Sequence, residues 1–280
     1  MSAAAGSAAA GGGGAAITPT PEPRVRRFDP AAIFGVMSRE FANFSTFWRS
    51  TVFSSLMEPT VYLLAFGLGL GATLIGNVGG IEYVQFVGTG MVATAVIFSS
   101  ALPAMFGTFV KHRFQQTYDA ILAAPVSVQE LVAAEMLWIG LRAGVFGCFP
   151  LIVTVVLFGL SPAPGMLLVP FFCFITALGF AAFGISIAAT VSKIDQFNYV
   201  TSLVITPLFL VAGTFFPISG LPEALQVAAQ FNPLYHLVEL VRHASFGFET
   251  VDLFHIAVLA VFAAAMGALA MRQMQRRLID

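Results

Sequence analysis

Long apolar runs separated by short polar stretches dominate the chain, and each run comes close to the roughly 20 residues that a helix needs to cross a hydrocarbon core. The six runs cover residues 51–74, 86–110, 137–160, 166–191, 199–216 and 253–271. The pattern predicts an all-α membrane protein with six transmembrane helices. Another periodic segment precedes them. Asp29-Pro30 offers an N-cap with proline at the first helical position, and Ile33, Met37, Phe41, Phe44 and Trp48 then recur every three or four residues. Ser38, Arg39, Asn43 and Thr46 lie opposite. That N-terminal amphipathic helix is too polar to span. Its aromatic stripe and basic ends suit the cytoplasmic membrane interface, or else a face packed on other protein.

The polar stretches have patterns of their own. Residues 111–125 read as one short helix stopped by Pro125, which disfavours helical geometry at Ala124. Ser127 and Glu130 then form a capping box that opens a helix running through Glu135 into the third run. Exposed Tyr118, Ile121 and Leu122 beside Asp119 would fit a partner's groove; the same residues would equally pack on the helix stems beneath them. Pro207 sits within the fifth run and Pro217 at its outer end. Beyond it come two short helical patterns, 222–230 and 233–246, each starting on a proline, with Asn232 capping the second. Neither is long enough to cross a bilayer, which predicts a broken re-entrant helix pair between spans five and six. Leu234, Leu237, Val238 and Val241 share one face of the second, with Glu239 and Arg242 elsewhere. His236 and His243 read as a polar rim, since no ligand cluster supports a metal.

Composition agrees with the spans. The chain is 58% hydrophobic and 10% charged, whereas a soluble domain carries about a quarter charged residues. Sidedness comes from the cations. With the N-terminus inside, Arg24, Arg26, Arg27, Arg39, Arg49, Lys111, Arg113, Lys193, Arg272, Arg276 and Arg277 all fall on the inner face. Arg142 sits just inside the cytoplasmic end of the third run, and only Arg242 is left outside. The positive-inside rule therefore predicts a multi-pass protein of the plasma (inner) membrane, in contact with membrane lipids, with both termini cytoplasmic. A net charge of −1 selects no anionic partner, and no nucleic acid is expected. Residues 1–28 form an Ala/Gly/Pro-rich tail expected to be disordered, leaving 29–280 as one transmembrane domain. Cys148 and Cys173 fall inside runs and read as small buried apolar residues.

Two ionisable residues lie deep in the runs. Glu58 precedes Pro59 in the first, and Arg142 lies a similar distance into the third. A charge at mid-membrane costs about 3 kcal/mol on insertion scales, so each should face protein. They are natural partners, as a gate or as a structural tie; the rival account has Arg142 snorkelling and Glu58 protonated. Little else bears chemistry. The only lysines are Lys111 and Lys193, and neither follows the glycine spacing of a phosphate cradle. No nucleophile elbow, zinc motif or paired intramembrane carboxylates appear, so no catalytic residue, metal or cofactor is expected on this chain. An ATP-independent channel or carrier is disfavoured by the scarcity of embedded ionisable groups.

Particular stretches match a known family. Leu56-Met-Glu-Pro59 with Tyr62-Leu-Leu-Ala-Phe-Gly-Leu-Gly-Leu-Gly71 resembles the first span of ABC type-2 exporter permeases, and Phe86-Val-Gly-Thr-Gly-Met-Val-Ala93 their second. Gln116-Thr-Tyr-Asp-Ala-Ile-Leu-Ala-Ala-Pro125 is similar to their coupling helix. Leu203 to Pro217, Leu221-Pro222 and Asn232-Pro-Leu-Tyr-His-Leu-Val-Glu-Leu-Val-Arg242 resemble their fifth span and outer helices. The resemblance runs from Asp29 to the C-terminus. Among branches, the nodulation-factor exporter permease, which moves lipo-oligosaccharides, is the most similar; drug-exporting permeases are the alternative.

This resemblance implies a homodimer bound to two copies of a separate ATPase that holds ATP and Mg. It assigns ATPase coupling to Phe114, Thr117, Tyr118, Asp119, Ile121, Leu122 and Pro125. It implies a path between the first and fifth spans, lined by Glu58, Pro59, Tyr62, Pro207, Phe215, Phe216 and Pro217. Ala212, Gly213 and Thr214 would let two helices approach closely there. Phe215 and Phe216 then serve either as an outer gate or as lipid-facing residues.

Overall fold

The amphipathic helix and the first apolar run form a single element. In a computed structural model that describes residues 28–70, 78 and 80–279, α1 (Pro30–Leu64) starts on Asp29, whose Oδ1 accepts the Ala31 amide at 2.9 Å. No glycine or proline interrupts it between Gly35 and Pro59. The two segments are set apart by a kink at Phe47 (φ −127°, ψ 17°). Hydroxyls crowd that point: Ser50 Oγ and Thr51 Oγ1 both donate to the Phe47 carbonyl, at 2.9 and 3.4 Å. Such back-bonding bends helices. The expected stripe divides in two. Ile33, Val36, Met37, Glu40 and Phe44 turn inward, while Phe34, Phe41, Trp48 and Phe53 stay exposed. Phe41 and Phe44 both meet the edge of Trp138, at 6.0 and 5.8 Å. This helix is therefore packed on protein along one side and open along another.

The chain continues as α2 (Tyr83–Arg113), α3 (Thr117–Leu122), α4 (Val128–Phe146), α5 (Phe149–Phe158), α6 (Val169–Thr190), α7 (Phe197–Val200), α8 (Thr206–Leu210), α9 (Glu223–Gln230), α10 (Pro233–Phe246) and α11 (Asp252–Ile279). The described residues are 83% helical with no strand. Among the described residues, four stretches are long and apolar enough to cross a membrane: Tyr83–Arg113, Val128–Phe158, Pro164–Thr190 and Asp252–Ile279. These correspond to runs two, three, four and six. Run one lies on the second half of α1 and on a π-helical turn, Ala65–Leu70, with residues 71–74 outside the described part.

Run five departs from expectation. Its helix is built of α7, a π-helical turn at Thr201–Ile205 and α8, and it ends at Leu210 rather than at Phe216. Pro207 has no N–H to return to the preceding turn. Just before it, the Thr206 amide and Thr206 Oγ1 both donate to the Thr201 carbonyl, the hydroxyl at 2.9 Å, across five residues. Phe215 and Phe216 follow in a turn containing Gly213 at φ +80°.

Helix α6 is the centre of the bundle, packed against α2, α4 and α11. Gly184 allows a close approach to α2: a Cβ there would lie 2.6 Å from the Ala101 carbonyl and from Ala104 Cβ. Small residues commonly bring membrane helices together in this way. The paired short helices appear as expected, except that Pro222 precedes α9 in extended geometry instead of opening it. Asn232 Oδ1 accepts the Leu234 amide at 3.0 Å, and its Nδ2 donates to the Leu208 carbonyl at 2.6 Å. One side chain thus caps α10 and serves a carbonyl of α8. Leu234, Leu237, Val238 and Val241 are fully buried.

Candidate coupling platform and intramembrane path

At the end of the bundle that carries α3, three carboxylates join four elements. The expected single helix over 111–125 is broken: α2 ends at Arg113, Gln116 turns left-handed (φ 48°), and α3 begins at Thr117. That turn drives Tyr118 inward. Only 1% of Tyr118 is exposed, so it is no part of an outward knob. Its hydroxyl donates to the Glu135 carboxylate, to which Thr108 Oγ1 also donates, at 3.4 Å. Lys111 Nζ bridges Glu135 Oε1 (2.8 Å) and Glu40 Oε2 (3.0 Å), and Arg39 reaches Glu40 at 2.9 Å. Two cations and two carboxylates cancel in charge. Glu40 and Glu135 are 6% and 2% exposed, burial that would be costly for unpaired ions. Burial, reinforced by the Glu135 charge, holds the Tyr118 phenol well above its ordinary pKa, so it remains a neutral donor.

Glu130 supplies the third tie. The expected capping box forms, with Ser127 N donating to Glu130 Oε2 (2.7 Å) and Glu130 N to Ser127 Oγ (3.2 Å). Glu130 Oε1 also accepts the Asp29 amide at 2.6 Å, which fastens the start of α1 to the start of α4. The sequence reading missed Glu40, Lys111 and Glu135 as a unit. Of its two readings of the loop, packing on the helix stems describes Tyr118, Ile121 and Leu122. Tyr118 is fully packed beneath; Thr117, Ile121 and Leu122 are half-buried, the last two against the apolar cluster around Val128 and Leu131. Asp119 and Pro125 face outward, as does Phe114 with 70% exposed.

Two of the residues expected along a path, Tyr62 and Phe215, are joined at the other end through Phe66. Phe215 packs against Phe66 (5.1 Å between centroids) and Phe209 (6.3 Å), and Phe66 stacks on Tyr62 (6.4 Å). Phe215 is half-buried, Tyr62 and Phe216 are exposed, Pro207 is the second residue of α8, and Pro217 precedes the short turn Ile218–Gly220. The side chains of Glu58 and Pro59 lie outside the described residues, and with them the Glu58–Arg142 pair. Arg142 itself points Nη2 at the Ser99 carbonyl, 3.5 Å away.

Arg242, the one cation left outside by the charge count, is 8% exposed. Its Nη2 donates to the Gly213 carbonyl at 2.6 Å and its guanidinium lies 3.7 Å over the Phe86 ring, while Glu239 holds Nη1 at 3.3 Å. It clamps the turn that bears Phe215 and Phe216. His236 is no rim residue. It is buried, with Nδ1 2.6 Å from His255 Nδ1 and Nε2 2.8 Å from the Gln230 carbonyl. His243 pairs with Asp252 at 2.5 Å. Among the described residues no three ligands converge on a metal position.

The bundle is that of a multi-pass membrane protein, and comparison with known proteins gives its class. Residues 31–246 match the ABC-2 type transporter family, and the chain belongs to it. It is 31% identical to nodulation protein J of Rhizobium leguminosarum bv. trifolii over 237 residues, covering 83% of this chain and 90% of that one. Identity to nodulation protein J of Neorhizobium galegae is 30%, over 87% and 92% of the two chains. The inner membrane transport permease YadH of Escherichia coli K12 is 25% identical over 88% and 95%. The chain is thus an ABC transporter permease of the inner membrane, and its family implies an ABC ATPase as partner.

Proposed function

We propose that this chain is the permease of an ATP-driven exporter. Residues 29–280 form its transmembrane domain and work as a homodimer on two copies of a separate ATPase chain that holds ATP and Mg. Runs one and five complete six spans, with both termini cytoplasmic. The observation that carries the reading is the placement of α3: Asp119 on its outward side, with Phe114 before it and Pro125 after it, is exposed, while Tyr118 behind is bonded to Glu135 and through Lys111 to α1 and α2. Closure of the ATPase pushes α3, and the buried ties pass that push to three helices at once. Tyr62, Pro207, Phe215, Phe216 and Pro217, with Glu58 and Pro59, line the path.

The cargo is an amphiphilic or lipid-linked molecule of lipo-oligosaccharide type, taken from the cytoplasm or inner leaflet; likeness to nodulation protein J supports this. Drug efflux is the second reading, because the aromatic wall of Tyr62, Phe66 and Phe215 suits an amphiphilic drug as well. Co-purification with the ATPase, followed by ATP hydrolysis in liposomes with candidate lipo-oligosaccharides and drugs, separates the two. Transport by this chain without any ATPase would overturn both.

A further inference from the structure

A cavity of about 320 Å³ opens between α1, α2 and α4, lined by apolar side chains, several hydroxyls and one cation. Arg142 of α4 reaches into it, facing Ser54, Ser55 and Tyr62 of α1 and Thr94 and Ser99 of α2. The Ser99 carbonyl sits there without its helical partner, because residue 103, four positions on, is proline and has no N–H. That carbonyl is the sole hydrogen-bond acceptor recorded for Arg142, at 3.5 Å, and among the described residues no carboxylate lies within ion-pair distance of the guanidinium. Thr94 Oγ1 is buried with no hydrogen-bond partner at all. The site is deep: Ser99 stands more than about 20 Å from either end of α2, at 1.5 Å per residue.

A cation at such depth is costly and marks a functional place when it faces a cavity. The volume fits one polar head group and is too small for a whole lipid. Phe98 and Phe146 supply apolar wall beside the polar groups, and Ser54 and Tyr62 are exposed at its edge, so acyl chains have a way out. We propose that this cleft binds the anionic head group (phosphate, sulfate or carboxylate) of a single-headed amphiphile, with Arg142 as the charge contact and Thr94 as a hydrogen-bond donor. The head group comes either from a bilayer lipid or from the cargo of the exporter, and only the second source rests on the function proposed above.

Native mass spectrometry of the full-length chain, titrated with phosphatidic acid and with phosphatidylcholine of the same acyl chains, reads the preference directly. Phosphatidic acid is expected to be favoured about tenfold or more, the scale of one charge-assisted hydrogen bond. Arg142→Gln should erase the preference, Arg142→Lys should keep most of it, and Thr94→Val should weaken phosphatidic acid several-fold at unchanged thermal stability. Equal binding of the two lipids overturns the proposal, as would follow if Glu58 neutralised the guanidinium. So does a preference that survives Arg142→Gln. The source is read with the ATPase complex in phosphatidylcholine nanodiscs. Added phosphatidic acid that raises ATP hydrolysis, except in Arg142→Gln, marks a cargo site; binding without stimulation marks a lipid site. Either result keeps the head-group assignment, and the binding titration needs no ATPase.

Discussion

Tyr118 and Glu135, 17 residues apart, meet through a hydrogen bond from the phenol to the carboxylate, and both are buried. The bond fixes the short helix α3 to α4 at its inner face, leaving the outer face for a partner. Tyr118→Phe should remove one donor and leave the packing intact, at a cost of about 1–3 kcal/mol for the acceptor left behind. We predict that the variant inserts and binds the ATPase but exports several-fold less cargo per ATP hydrolysed. Equal export per ATP in reconstituted wild type and variant would remove α3 docking from the coupling route.

Lys111 is the single cation shared by Glu40 and Glu135. Lys111→Met should cost about 3–5 kcal/mol, the usual consequence of leaving buried charge unpaired. Adding Glu135→Gln should restore part of the loss. A double-mutant cycle by thermal unfolding in detergent checks this, and purely additive effects would contradict the shared tie.

Asp119 is exposed and α3 contributes no other charge. Asp119→Arg is predicted to leave stability within about 0.5 kcal/mol, as surface changes usually do. It should nevertheless weaken ATPase co-purification markedly. Leu122→Arg, half-buried, should cost stability as well, so the pair separates docking from folding. Wild-type co-purification of Asp119→Arg would place the ATPase elsewhere.

Arg242 holds the Gly213 carbonyl, two residues before Phe215. Arg242→Gln should loosen this turn and raise basal ATP hydrolysis or leak, whereas Glu249→Gln on the surface should change neither. In parallel, cysteine at Phe215 in both protomers should crosslink at rest and block export. If neither crosslink nor leak is observed, the gate lies outside the 211–216 turn.

Topology has its own check. A cysteine at Ala4 is predicted to react with an impermeant maleimide only after the membrane is opened. Labelling in intact cells would reverse the proposed orientation.

The features legible in sequence are those set by neighbours in the chain. Asp29, Ser127 with Glu130, and Asn232 cap helices where their spacing indicates. Four of the six apolar runs appear as long apolar helices because length and composition alone decide them. What escaped depends on distant or competing bonds. Lys111 and Glu135 are 24 residues apart, and nothing local links Glu40 to either. A clue existed: Glu135 stands in Leu131-Val-Ala-Ala-Glu-Met-Leu137, where a bare carboxylate needs a partner. The burial of Tyr118 rests on the left-handed turn at Gln116, a conformation that glutamine seldom adopts. Arg242 was flagged by charge sidedness, yet only its contacts with Phe86 and Gly213 show why it is tolerated.

The wide turn at Thr201–Ile205 stores one residue more than an ordinary helical turn would hold. Returning it to α geometry would rotate all that follows by about 100° and shift it by about 1.5 Å. Phe209, Phe215 and the Asn232 bond to Leu208 lie directly downstream. A small pull along this helix would therefore emerge as a twist, and the segment would serve as a screw thread, re-aiming an aromatic ring without the bundle having to spread.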